Sequence, residues 1–354
     1  MNLMETLIKS LPDDIDAALI TGGFNRRYLT GFTSSAGTLV LTRKRSAFII
    51  DSRYYEGACK AIRDCDVLLQ DKLYRQIGGL LEEAGAKTVA VESDVCTVKL
   101  LNTYRKEMPD ITFLEDNRLS EQLSLMRRIK TPQELAIMRK AQEYTDKTFA
   151  YILEKIRPGV TEKEIALELD IAGRKMGADR LAFVIVASGE NSSQPHCTPS
   201  DRALREGDFI TLDFGFFVDG YCSDMTRTVA LGHVTDKQRQ VYETVRKAQD
   251  AAFAKIKPGT VCRQVDAAAR NLIDSSPFQG TFGHGLGHSL GLEVHESPAF
   301  NLTCEVPLEP GMVLSVEPGI YLAGEFGVRI EDVIVCTPDG FENLTQSPKE
   351  LIIL

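Results

Sequence analysis

The chain has 354 residues, 43% of them hydrophobic and 26% charged, with a formal net charge of −9. That length predicts two domains with sizeable cores, and the acidic balance opposes a phosphate backbone, so no nucleic-acid partner is expected. The longest apolar run, near Leu181 to Ala187, is too short to span a bilayer, and no membrane partner is expected. The first residues, Met1 to Leu19, are broken by Glu5, Lys9 and Asp13-Asp14, which argues against a secretory signal. Eight scattered cysteines contain no C-x-x-C pair. They read as reduced, mostly buried thiols of a cytoplasmic protein.

In chain order, short β-prone runs come first: Ala17 to Thr21, Thr38 to Thr42, Ala47 to Ile50, Val67 to Leu69, Thr88 to Val91 and Ile111 to Leu114. Gly78 to Gly85 reads as a helix that stops at glycine. These residues predict a small α/β domain. It holds no histidine, which makes it a poor place for a metal site. A polar, basic stretch with Arg127, Arg128 and Lys130 then reads as interdomain, and the expected division is 1–123 and 124–354.

A helix start follows. Thr131 can cap it, Pro132 suits the first turn and Glu134 completes a capping box. Leu135, Met138, Ala141 and Thr145 share one face, continued by Phe149 and Ile152. The helix ends at Ile156-Arg157-Pro158-Gly159, and Thr161 with Glu164 repeats the capping pattern. One hundred residues later the scheme returns: a helix through Val245, Ala248 and Ala252, then Ile256-Lys257-Pro258-Gly259. The echo hints at two similar α/β halves, which would leave a cleft at their shared interface.

Phe209 to Phe217 and Tyr221 to Leu231 read as a hairpin, with Asp219-Gly220 as its turn. That turn pairs residues whose numbers sum to 439, so Asp213 opposes Thr226 and Asp224 opposes Gly215. The two aspartates then share a face. Two carboxylates on an apolar hairpin repel, and a metal pair between them removes the problem. The plainer reading makes one of them a turn or surface residue.

Gly283-His284-Gly285-Leu286-Gly287-His288 places two histidines on one face. Its glycines oppose a helix and allow close backbone approach. Gly285 excludes the H-E-x-x-H zinc helix. The chain has five histidines. Three of them, His284, His288 and His295, cluster within twelve residues. His196 sits in the loop-like Ser192-Ser193-Gln194-Pro195-His196, and His233 reads as a surface residue.

Met312 to Val316 and Val328 to Cys336 read as another strand pair, joined by a loop from Pro318-Gly319 to Gly327. Glu317 and Glu331 sit in that apolar company. Buried there, each needs a partner. An ion pair, for which Arg329 is available, is the plainer reading, and a ligand role is the functional one. Pooled, four carboxylates and one imidazole suit Mn²⁺, Fe²⁺, Co²⁺ or Zn²⁺. Two such ions roughly 3.5–4 Å apart can activate water and polarise a carbonyl.

The strings Thr211-Leu212-Asp213-Phe214-Gly215, Ser223-Asp224-Met225-Thr226-Arg227-Thr228, Gly283 to His288, Leu292-Glu293-Val294-His295-Glu296, Ser315-Val316-Glu317-Pro318-Gly319 and Arg329-Ile330-Glu331-Asp332 occur in order. Together they resemble the pita-bread metallopeptidases, in the proline-directed branch of aminopeptidase P and prolidase. Asn25 to Phe32 and Ile50-Asp51-Ser52-Arg53-Tyr54 resemble that branch's N-terminal domain, so the resemblance covers nearly the whole chain. It implies a small creatinase-like α/β domain followed by a pseudo-symmetric pita-bread catalytic domain.

The resemblance also implies the roles. Asp213 would chelate one metal, Asp224 and Glu331 would bridge both, and His288 and Glu317 would complete the second, with Glu317 as proton acceptor. His295 would donate to the oxyanion. His196 and His284 would position substrate or shuttle a proton, and Arg329 would orient Glu331 or the bound peptide. Two divalent ions are expected, manganese first, with cobalt, zinc or iron as alternatives, and the family suggests a homodimer.

The expected reaction is release of the residue in front of proline from peptides with proline at the second position. Phe183 and Ile185 are candidates to line the proline pocket, although core packing is the plainer role. The alternative is prolidase, which must meet the dipeptide's carboxylate with a cation. Methionine aminopeptidase shares the C-terminal fold but usually lacks such an N-terminal domain, and creatinase shares both domains but not the ligands. A non-catalytic binding relative is the alternative from another class.

Overall fold

A computed structural model of the chain describes residues 2–354. The chain divides into two compact units, Met1–Arg127 and Arg128–Leu354. The first is a six-stranded sheet built from β1 (Ala17–Ile20), β2 (Thr38–Thr42), β3 (Ser46–Ile50), β4 (Asp66–Leu69), β5 (Thr88–Val91) and β6 (Thr112–Leu114), in the order β4-β3-β2-β1-β5-β6. Its helices are α1 (Leu3–Ser10), α2 (Gly23–Thr30), α3 (Ser52–Ala61), α4 (Leu73–Ala84), α5 (Val98–Glu107) and α6 (Arg118–Arg128).

Side chains alternate across a strand. Ile20, Leu41 and Ile50 therefore enter one apolar cluster, while Leu19, Val40 and Ile49 enter another. Both faces are buried, which is why the strands read as unbroken apolar runs. Helix α4 ends on Gly85, whose φ of 74° is the left-handed cap expected there. The division expected between residues 123 and 124 falls inside α6, whose Leu119 and Leu123 are buried in the core of the first unit. The observed break lies at the end of that helix.

The second unit opens with α7 (Pro132–Leu153) and α8 (Glu162–Met176), each started by the capping box read from sequence. There follow β7 (Arg180–Ser188), a 3-10 turn (Gly189–Ser193), β8 (Phe209–Val218), β9 (Tyr221–Cys222) and β10 (Thr226–Ala230). The second half repeats the scheme with α9 (Asp236–Phe253), α10 (Cys262–Asp274), β11 (Gly287–Ser289), β12 (Glu296–Phe300) and β13 (Val313–Val316). It continues with β14 (Gly319–Leu322), β15 (Phe326–Arg329), β16 (Asp332–Thr337) and β17 (Gly340–Asn343). The sheets run β10-β8-β7 and β12-β11-β13-β16-β17, with β14-β15 a separate pair.

The sequence echo has a backbone counterpart. Gly159 N donates to Leu204 O at 2.9 Å, and Gly259 N to Leu308 O at 2.8 Å. Isolated antiparallel bridges join Thr161 to Ala203 and Val261 to Pro307. Each half thus closes a returning loop against the start of its second helix in the same way.

The β8 hairpin turns at Asp219 (φ 44°) and Gly220 (φ 77°). Both residues are left-handed, as a two-residue turn matched to strand twist requires. The register is the expected one, with Asp213 opposite Thr226 and Phe217 opposite Cys222. The loop expected from Pro318-Gly319 to Gly327 instead lies mostly in the β14–β15 hairpin, and the strand expected over Val328 to Cys336 is interrupted at Ile330-Glu331, between β15 and β16. Ile320, Phe326 and Val328 point into the core of the second half, an alternation that the flanking glycines obscured. Among the described residues no helix is long and apolar enough to cross a membrane.

Candidate metal centre

Asp213 sits in the middle of β8, a strand buried along its whole length, and its register partners are Ile185 and Thr226. Asp224 lies where the chain leaves the ladder between β9 and β10. There Ser223 N donates to Phe216 O at 3.0 Å and Phe214 N to Met225 O at 3.1 Å. Gly215 allows that approach, because a Cβ on it would lie 2.0 Å from Ser223 O. His288 is central in β11, and Glu317 follows β13 with its N–H bonded to Leu286 O at 2.7 Å. Glu331 lies between β15 and β16 and donates its N–H to Thr226 O at 3.0 Å. Strands from both halves of the unit thus deliver the five side chains.

Ligand atoms of Asp224, His288 and Glu331 all lie within 4.8 Å of one another. His288 Nε2 is 3.4 Å from Glu317 Oε1 and 3.7 Å from Asp224 Oδ2. Its Nδ1 faces Ser289 O at 3.2 Å. A proton on Nδ1 leaves the Nε2 lone pair turned toward carboxylates, a repulsive arrangement that a cation between them would reverse. Among the described residues, three buried carboxylate oxygens have no hydrogen-bond partner: Asp213 Oδ1, Asp224 Oδ1 and Glu331 Oε1. Native proteins seldom tolerate such atoms without a ligand or ion.

The electrostatics agree. Burial, and then Asp213 and Glu317, raise the Asp224 carboxyl well above its ordinary range, and burial with Asp224 does the same to Glu331. Burial lifts Glu317 to about 8 and lowers His288 to about 4, the latter helped by His295. A cluster that resists its own charge, and exposes oxygen and imidazole donors to one point, fits divalent cations.

A cavity of about 680 Å³ opens onto the cluster. Phe183 and Ile185 line one wall, and His196, His284, His295 and Arg329 also reach it. His295 stacks obliquely on His288, with ring centroids 4.3 Å apart. His233 is exposed and lies outside the cavity lining.

The structure gives Arg329 and His284 partners that the sequence did not single out. Arg329 does not engage the Glu331 side chain. Its guanidinium donates to Asp213 Oδ2 at 2.6 Å, Tyr321 OH at 2.8 Å and Thr226 Oγ1 at 3.1 Å. Residues two apart share a face only within one strand, but β15 ends at Arg329 and β16 begins at Asp332, and Arg329 reaches Asp213 on β8 instead. His284 has both ring nitrogens engaged, by Gly285 O and by Tyr321 OH, each at 2.8 Å. Burial lowers its proton affinity to about 4. Both ring nitrogens are thus held by the protein, and His284 braces Tyr321.

The loop expected over this segment does not single out Tyr321, which stands in β14. Alternation in Ile320-Tyr321-Leu322 was the available signal. The chain Asp213–Arg329–Tyr321–His284 runs from a candidate ligand to the cavity wall.

The sequence matches the model of metallopeptidase family M24 over residues 136–338, and that of the Creatinase/Prolidase N-terminal domain over residues 9–129. The Xaa-Pro dipeptidase of Pyrococcus horikoshii is 33% identical, across 99% of this chain and 100% of that protein. Among solved structures, an Xaa-Pro dipeptidase from Bacillus anthracis is 39% identical with a TM-score of 0.95, covering 99% of each chain. An X-Pro aminopeptidase from Thermotoga maritima is 34% identical with a TM-score of 0.90, covering 99% of this chain and 100% of that one.

Proposed function

We propose that this chain, which belongs to metallopeptidase family M24, is an Xaa-Pro dipeptidase, a metalloexopeptidase that cuts the bond before proline in a dipeptide. The observation that carries the reading is the set of partnerless buried carboxylate oxygens beside His288 on the cavity. The names of the relatives from Pyrococcus horikoshii and Bacillus anthracis support the dipeptidase form over the aminopeptidase form expected from sequence.

Asp213, Asp224, His288, Glu317 and Glu331 would hold two divalent ions, with manganese the first choice. When bound, such ions supply Lewis-acid polarisation of a carbonyl and a nucleophile from water at neutral pH. The chain's own residues orient and exchange protons. Glu317 takes the proton that the attacking water gives up. His295, beside His288, donates to the oxygen of the tetrahedral intermediate. His196, on the opposite loop, donates a proton to the departing proline nitrogen. Arg329 fixes Asp213, and His284 with Tyr321 fixes Arg329. The X-Pro bond carries no amide hydrogen, so an apolar wall of Phe183 and Ile185 can hold the ring without an acceptor.

One observation favours the aminopeptidase as a second reading. Among the described residues Arg329 is the one Lys or Arg lining the cavity, and each of its three nitrogens already donates once, to Asp213, Tyr321 and Thr226. A dipeptide's carboxylate would then rest on imidazoles such as His196. The test is hydrolysis of Ala-Pro and Ala-Pro-Ala by manganese-loaded protein. Cleavage of the dipeptide alone supports the proposal, cleavage of the tripeptide supports the second reading, and cleavage of neither ends both.

A further inference from the structure

Glu162, the first residue of α8, is 0% exposed. Burying a carboxylate is costly unless its oxygens are hydrogen-bonded. Those of Glu162 are bonded to both ends of one loop. Oε1 accepts from Ser188 N and Ser188 Oγ, each at 2.7 Å, and from Asn191 Nδ2 at 3.1 Å. Oε2 accepts from Asn191 Nδ2 at 3.1 Å, Ser200 N at 3.0 Å and Ser200 Oγ at 2.6 Å. Between those ends lie His196 and the rest of the cavity-lining segment Pro195 to Pro199. Arg202 braces the same network, donating to Ser188 Oγ at 2.8 Å and Glu190 Oε2 at 2.9 Å.

The start of α8 does not itself need this carboxylate. Thr161 and Glu164 already form its capping box. The internal repeat supplies a control. Glu162 N donates to Arg202 O at 3.1 Å and Lys163 N to Ser200 O at 3.1 Å. In the other half Cys262 N donates to Val306 O at 2.9 Å and Arg263 N to Cys304 O at 3.0 Å. Glu162 and Ser200 thus correspond to Cys262 and Cys304, a thiol pair in contact at the edge of an apolar core. The same backbone closure forms there without a charge. The carboxylate occurs in the half whose returning loop carries His196.

We propose that Glu162 is a positioning residue: its carboxylate clasps the two ends of loop 188–200 and so fixes where His196 stands over the metal centre. The claim that this matters for turnover rests on the function proposed above. The claim that the loop is held by this carboxylate does not.

The test compares Glu162→Gln, which keeps the side chain's shape but turns one acceptor into a donor facing donors, with Glu164→Ala, which weakens the helix cap alone. Amide hydrogen exchange across 188–200, manganese(II) affinity by calorimetry, and kcat and KM on Xaa-Pro substrates are read together. Glu162→Gln is expected to speed exchange in the loop by about tenfold or more, the effect of losing one charge-assisted hydrogen bond. It should raise KM or lower kcat/KM while leaving manganese affinity and the melting of the second unit near wild type. Wild-type exchange in the loop of Glu162→Gln, or an equal rise in Glu164→Ala, overturns the inference. If the wild-type protein cleaves no Xaa-Pro substrate, the proposed function fails while the exchange result still decides whether Glu162 holds the loop.

Discussion

The guanidinium of Arg329 meets Asp213 Oδ2 at 2.6 Å with both side chains almost wholly buried, and it leaves Asp213 Oδ1 without a partner. One oxygen is held by the protein and the other is free for a cation. Removing one partner of a buried ion pair strands the other charge, at a cost of roughly 3–5 kcal/mol. Arg329→Met should therefore destabilise the metal-free protein strongly in urea, and the loss should shrink when manganese is present. An equal loss in both conditions contradicts the arrangement.

The metal-free protein should lose stability as pH rises from 6.5 to 8. Glu317 is lifted from 4.5 to about 8 by burial, and Asp224 and Glu331 are raised with it. In that window the unfolded carboxyls have already released their protons while the folded ones still bind them, so raising pH favours unfolding. The buried histidines act oppositely, but only below their unfolded value of 6.5, since His284 and His288 are lowered to about 4. Melting temperatures at pH 6.5 and 8 should fall without metal and level out with manganese. A flat metal-free profile refutes the cluster's mutual repulsion.

Tyr321 links His284 Nε2 and Arg329, each at 2.8 Å. Tyr321→Phe leaves two buried groups short of a partner, which costs roughly 1–3 kcal/mol. Urea denaturation should show that loss, and kcat should fall because Asp213 is held through the same chain. A variant with unchanged stability and turnover removes Tyr321 from the account.

Gly215 is a second sensitive point. A methyl there would lie 2.0 Å from the Ser223 carbonyl, so Gly215→Ala must push away the segment that presents Asp224. Calorimetry should show manganese affinity lowered by at least about tenfold, the scale on which metal sites respond to displaced supports. Gly79 in α4 has nothing within 4 Å of an added Cβ, and Gly79→Ala should keep wild-type affinity. Equal behaviour of the two variants contradicts the steric argument.

Much of this architecture was legible in the sequence because it is local. Asp219-Gly220 fixes a turn, the turn fixes a register, and the register places Asp213 opposite Thr226. Thr131 with Glu134 and Thr161 with Glu164 announce their helices in the same way. What could not be read depends on side chains that meet across the fold. Arg329 meets Asp213, 116 residues earlier in the chain, and not its neighbour Glu331. The clasp by Glu162 joins residues that are far apart in sequence. Tyr321 was hidden in a short hairpin whose glycines imitate a loop.

Equilibrium dialysis of metal-free protein against manganese(II) tests the proposed binuclear centre most directly. Two ions per chain are predicted for the wild type, with less than one for Glu331→Gln, which replaces a carboxylate meant to serve both. Absence of saturable binding, or an unchanged count in Glu331→Gln, contradicts it.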